Sequence, residues 1–104
     1  MTRAIHKVRL DKVRPALVLT RPVAVSFLTR LTVPPITTTV YGIATEVPVG
    51  PANGLDRPSV ISCDNLVTIP AGNLLERIGV LDEEQEVLLT RAIHEAFDLD
   101  DLAG

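Results

Sequence analysis

The run Thr32-Val33-Pro34-Pro35-Ile36-Thr37-Thr38-Thr39-Val40 is the stretch on which the reading of this chain turns. Its β-branched residues favour an extended backbone, and the two prolines enforce one while confining that point to a sheet edge or a bulge. Three consecutive hydroxyls follow. In a strand Thr37 and Thr39 share a face and Thr38 points the other way.

Outward from this run the chain reads as short strands. Residues 3 to 10 alternate imperfectly, with Ile5, Val8 and Leu10 apolar among basic residues, and Asp11-Lys12 is a tight link. Arg14 to Thr20 is a nearly continuous apolar run that suits a buried strand, with Pro15 near its start because proline cannot donate to a ladder. Pro22 to Leu28 has the spacing of a short helical turn, and Leu31 to Thr38 resumes strand character. Ala44 to Val49, Ser59 to Cys63 and Leu66 to Pro70 are further strands, and Gly50 to Gly54 is a loop by composition. Short strands between closely spaced turn signals predict a small barrel or sandwich.

The end of the chain changes character. Asp82 followed by Gln85 forms a capping box, and Glu83, Glu84 and Glu86 suit the positive end of a helix dipole. Leu88, Leu89, Ala92, Ile93, Ala96 and Phe97 recur at helical spacing and predict one apolar stripe packed on the barrel. The acidic residues from Leu99 to Gly104 are expected to fray. Residues 1–104 thus read as one domain, mostly β with α.

The chain has 104 residues, 46% of them hydrophobic, yet only three aromatics, Phe27, Tyr41 and Phe97, so Val, Leu and Ile must pack the core. A single cysteine, Cys63, cannot form an internal disulfide and reads as a small buried side chain. No signal peptide or membrane span is visible, which predicts a cytoplasmic protein. Nothing has metal-ligand spacing, no glycine-rich loop opens a helix and no nucleophile elbow is present, so neither a metal nor a cofactor is expected. His6 and His94 lie far apart, and His94 reads as a partly exposed surface residue.

The net charge of -3 conceals a polarised distribution. Residues 1 to 30 hold seven basic residues against one acid, a balance of +6, whereas residues 71 to 104 hold two arginines against nine acids, a balance of -7. This pattern fits a basic binding surface beside an acidic, solvated face, or two halves that neutralise each other across the fold. An arginine opening an apolar strand and a hydroxyl within another occur everywhere, and taken alone they read as plain structural features. As a site, they suit a substrate that carries its own nucleophile. RNA is one: its 2'-hydroxyl attacks the adjacent phosphorus, arginine donates a planar fork to the phosphate, and threonine orients or hydrogen-bonds the reacting groups.

The ordered motifs Arg14-Pro15-Ala16-Leu17-Val18-Leu19, Pro35-Ile36-Thr37-Thr38, Asp56-Arg57-Pro58-Ser59-Val60-Ile61 and Arg77-Ile78-Gly79, leading through Leu81 to the acid-capped helix, together resemble the MazF/PemK family of toxin endoribonucleases. The resemblance spans residues 3 to 99. It implies a small SH3-like (CcdB/PemK-type) barrel with a C-terminal helix, working as a homodimer that cuts single-stranded RNA at short sequences without metal, the RNA being messenger, ribosomal or transfer RNA. It implies a cognate antitoxin that blocks the groove, and no membrane partner. Residue by residue it makes Arg14 and Thr37 catalytic. Lys12, Arg21, Thr38, Thr39, Asp64 and Asn65 are the RNA-binding candidates, with an Asx turn between strands as the competing role for Asp64 and Asn65. The chain departs from the family at its start: Ile5-His6-Lys7-Val8 and a link of only Asp11-Lys12-Val13 replace a Gly-Asp-aromatic strand and a long recognition loop. A non-enzymatic CcdB-like gyrase poison and a plain interaction barrel are the alternative readings.

Overall fold

A computed structural model describes residues 2–99. Eight strands and one helix run in the order β1 (Ala4–Arg9), β2 (Val13–Leu17), β3 (Arg30–Val33), β4 (Ile36–Thr37), β5 (Glu46–Val49), β6 (Ser59–Ser62), β7 (Val67–Pro70), β8 (Leu74–Val80) and α1 (Glu83–Ala96). All pairings are antiparallel and form three small sheets, β2-β1-β8, β3-β7 and β4-β6-β5. The fold is therefore mostly β with one C-terminal helix, as the strand spacing predicts.

The prolines shape the sheets. Pro34-Pro35 splits the extended run into β3, paired with β7, and β4, paired with β6. The backbone carbonyls at this break are not wasted: the Leu17 N–H donates to Pro34 O at 3.1 Å and the Ser62 N–H donates to Pro35 O at 2.9 Å, and Ala16 bridges Pro35. The break thus ties β2 to β4 and joins the first sheet to the third.

Two cores follow from the pleat. Ile5 and Leu17 face a larger core with Ile36, Val47, Ile61, Leu81, Leu89 and Ala92, closed by α1. Val8 and Ala16 face a smaller one with Leu31, Val33 and Ile69 under β3 and β7. Cys63 is fully buried in the larger core.

The helix begins as its sequence dictates. Asp82 accepts from the Gln85 N–H at 2.8 Å, the Gln85 side chain accepts from the Asp82 N–H at 3.0 Å, and such a cap contributes about 1 kcal/mol. The Gln85 amide also pairs with the buried Asn53 amide (2.7 and 3.0 Å) and donates to Pro48 O, so the cap fastens the helix to the barrel. The apolar stripe needs correction: Leu89 and Ala92 are buried and Ile93 and Ala96 pack against them, but Leu88 and Phe97 stay 39% and 53% exposed because they lie off the face turned to the barrel. Of the segment expected to fray, Leu99 is described, its N–H bonded to His94 O at 2.9 Å; the other positions fall outside the described residues.

Strand β8 has no counterpart among the strands expected from the sequence. It lies at a sheet edge, and its pairing with β1 shifts register twice, so burial along Leu74–Val80 never alternates and the period of two is erased. No helix of the described residues is long and apolar enough to cross a membrane.

Gly79 lies where the Asn53 carbonyl presses on the strand, and Gly54, at φ +87°, presses on Ile78 in turn. A Cβ at Gly79 would meet the Asn53 carbonyl oxygen and carbon, both backbone atoms that cannot step aside. Gly79→Ala should lower stability by about 3 kcal/mol or more, read as a lower urea midpoint at constant slope. Gly72→Ala, whose added carbon meets nothing within 4 Å, should stay within about 0.5 kcal/mol of the wild type.

Candidate active site

The Ala16–Pro35 bridge fixes how β2 faces β4. In an antiparallel pair each step back along one strand is a step forward along the other, and the Leu17–Pro34 hydrogen bond obeys the same register. Two steps further, Arg14 comes opposite Thr37. Both side chains line one open groove of about 740 Å³, together with Arg9, Thr39, Tyr41 and Asn65.

Arg14 is half-exposed, with 43% of its side chain open to solvent, and is held by Asp11 in a two-pronged contact: Nε donates to Oδ1 at 2.9 Å and Nη2 to Oδ2 at 3.0 Å. The short link from Asp11 to Val13 makes this geometry possible, because it folds a carboxylate back onto the strand's first arginine. The guanidinium hydrogen bond drives the Asp11 carboxyl down from 3.8 to about 2, and Asp11 raises Arg14 reciprocally. Among the described residues Arg14 Nη1 makes no hydrogen bond, and it is the nitrogen free to meet an oxyanion.

Thr37 ends β4, and its hydroxyl oxygen accepts from the Thr39 N–H at 3.1 Å, a turn that fixes the side chain and leaves its proton to donate. Thr39 lines the same groove, whereas Thr38, in the bend just beyond β4, lines a different cavity with Lys7 and Pro15.

The remaining candidates divide. Asn65 lines the groove and donates to Ser62 Oγ at 2.7 Å, bracing the turn between β6 and β7. Asp64 accepts from Thr45 Oγ1 at 2.6 Å, which ties it to the loop before β5, and does not line the groove. Lys12 and Arg21 are exposed and lie outside the groove lining.

The basic N-terminal third is partly spent inside the fold. Arg3 Nη1 binds Glu86 at 2.8 Å and Lys7 binds Glu76 at 2.9 Å, so two of its cations meet acids of the C-terminal third. Mutual neutralisation across the fold accounts for these; in the groove Arg9 and Arg14 stand with Asp11 and Glu46, so its lining carries two cations and two acids. Burial, with Asp64 adding to it, raises the Cys63 thiol to about 11, as expected of an inert cysteine. His6 is engaged through Nδ1 with Leu75 O at 2.8 Å, and His94 is exposed.

Sequence reasoning passed over Glu46. Its carboxylate lines the groove and accepts from the backbone N–H groups of Tyr41, Gly42 and Ile43 at 2.8 to 3.3 Å, with Gly42 at φ +72°. That use fixes the loop between β4 and β5 and occupies the carboxylate. A signal for it existed: Glu46 is the sole acid between Asp11 and Asp56.

Because the Asp11 carboxyl is depressed in the folded state, whatever the pair contributes is present above pH 3.8 and disappears as pH falls through about 2. The pair is intact across the physiological range. A carbon-detected NMR titration should place the Asp11 carboxyl near 2 in the wild type and return it towards 3.8 in Arg14→Gln. An unchanged midpoint in the variant would show that another group holds the carboxylate.

The sequence profile of the family described as PemK-like, MazF-like toxin of type II toxin-antitoxin system matches residues 5–97. The chain is 58% identical over 98 residues to Endoribonuclease MazF3 of Mycobacterium tuberculosis, covering 94% of this chain and 95% of that protein. The solved structure of Mycobacterium tuberculosis toxin MazF-mt6 superposes with a TM-score of 0.92 at 57% identity, covering 95% of this chain and 100% of that one. A mycobacterial endoribonuclease in complex with its cognate antitoxin shares the fold at 21% identity and a TM-score of 0.83, covering 94% of each. The chain belongs to the PemK-like, MazF-like toxin family of type II toxin-antitoxin systems.

Proposed function

We propose that this chain is a toxin endoribonuclease that cleaves single-stranded RNA at a short sequence, without metal, and is held inactive by a cognate antitoxin. The observation that carries the reading is the register that sets Arg14 opposite Thr37 in one open groove, in a chain 58% identical to a protein named as an endoribonuclease.

In the proposed reaction the 2'-oxygen forms a bond to the adjacent phosphorus while the bond from phosphorus to the 5'-oxygen breaks. The products are a 2',3'-cyclic phosphate and a 5'-hydroxyl. Arg14 meets the negative charge that builds on the non-bridging oxygens, and Thr37 donates to the phosphate or orients the attacking group. Arginine is not the general base, since it keeps its proton. Asp11, at about 2, is a weak base tied to Arg14, and Glu46 is occupied by backbone amides, so these carboxylates serve geometry. Thr39 and Asn65 line the same groove as Arg14 and Thr37.

The proposed partners follow from the surface. Arg9 and Arg14, which line the groove alongside Asp11 and Glu46, are the cations it offers to an antitoxin segment that orders on binding. Val80, Val87, Leu88 and Phe97 leave apolar surface uncovered on and beside α1, which supports a second copy of the chain as a partner.

Purified protein incubated with mixed single-stranded RNA in EDTA should produce discrete fragments; RNA left intact across varied sequences would sink the enzyme reading. Arg14→Ala and Thr37→Ala should each lower kcat by roughly 100- to 1,000-fold, the usual loss for one oxyanion donor, with melting temperatures near that of the wild type. RNA binding by the Thr37→Ala protein should weaken linearly on a log–log plot against salt as phosphate contacts release counterions. An affinity flat in salt would remove phosphate contacts by the groove's arginines from the account.

A further inference from the structure

We propose that Tyr41 is the base-stacking platform of this groove: its ring receives an unstacked nucleobase beside the phosphate held at Arg14, and so helps decide which sequence is cut. The inference rests on the RNA-cleaving reading above and adds a specificity-determining residue to it.

Tyr41 is 76% exposed, yet it lines the same groove as Arg14 and Thr37. An aromatic ring left in water forfeits the burial that normally holds such residues. Of the chain's three aromatics, Phe27 and Phe97 do not line the groove, so Tyr41 supplies the π-face there. Single-stranded RNA is read by stacking its splayed bases on such faces and bonding their edges.

The ring is also presented from a fixed backbone. The Glu46 carboxylate accepts the N–H groups of Tyr41, Gly42 and Ile43, and the left-handed Gly42 closes the turn. A loop pinned in this way loses little further freedom when it takes up a ligand. In the same groove Asn65 and Asn73 each spend an amide nitrogen on the protein, leaving the Asn65 and Asn73 side-chain carbonyls to accept from a base edge.

Tyr41 is the chain's single tyrosine and tryptophan is absent, so intrinsic fluorescence reports this residue alone. Single-stranded 2'-O-methyl oligonucleotides of randomised sequence, which cannot be cut by their own 2'-oxygen, should quench that emission along the binding isotherm. Tyr41→Ala should weaken binding by about tenfold with the salt slope unchanged, because one stack is lost and no phosphate contact. Tyr41→Phe, which keeps the ring, should bind within about twofold of wild type and cut the same RNA sites, while Tyr41→Ala shifts site preference. The proposal is overturned by saturable binding without quenching, by Tyr41→Ala binding as tightly as wild type, or by Tyr41→Phe failing as badly as Tyr41→Ala. It is equally overturned if Tyr41→Ala disturbs only self-association or antitoxin binding. Since these oligonucleotides are bound but not cleaved, RNA that stays intact in the cleavage assay sinks the enzyme reading while stacking is still decided by quenching.

Discussion

The absence of two backbone donors at Pro34-Pro35 is the constraint from which the site follows. Neither proline can donate to a ladder, and at this pair the run that begins at Arg30 breaks and continues in a different sheet. The carbonyls of the same prolines still accept, and by taking the N–H groups of Leu17 and Ser62 they lock β4 between β2 and β6. The register so imposed brings an arginine and a threonine 23 residues apart in sequence (Arg14 and Thr37) to facing positions. The proposed site is a consequence of strand pairing rather than of a local motif.

Charge is then distributed to suit that position. Glu86 and Glu76 draw Arg3 and Lys7 into structural pairs, which removes them from the binding surface, and Asp11 takes one edge of Arg14 while leaving Nη1 open. An ion pair this exposed contributes little to stability. Its value is directional: it aims a long, flexible cation across the groove before substrate arrives.

Much of this was legible in the sequence, for identifiable reasons. The capping box at Asp82 and Gln85 and the apolar spacing behind it are local signals, and they mark the helix within a residue of where it lies. Thr37 and Thr39 line one cavity and Thr38 another, as alternation would have it, but the strand ends at Thr37 and the bend beyond it makes the separation. What escaped depends on contacts distant in sequence. Strand β8 is an edge whose bulged pairing with β1 removes alternation, and Gly79 within it makes sense only once the Asn53 carbonyl is known to press there. Leu88 and Phe97 fit a helical stripe on spacing, but which part of the stripe meets the barrel is decided by the Gln85–Asn53 amide pair. Glu46 looked like an isolated acid because its partners are backbone amides, which no side-chain pattern announces.

The central claim is that the protein supplies orientation and charge while the RNA supplies the nucleophile. The most direct test is a short RNA containing the mapped cut site with one change, hydrogen in place of the 2'-hydroxyl on the nucleotide 5' to the scissile phosphate. The account predicts an oligonucleotide that is bound but left whole at that bond, while its all-ribose counterpart yields a 2',3'-cyclic phosphate and a 5'-hydroxyl end. Cleavage of the deoxy-substituted strand at the same bond would mean that water or a protein group attacks the phosphorus, and the account would be wrong.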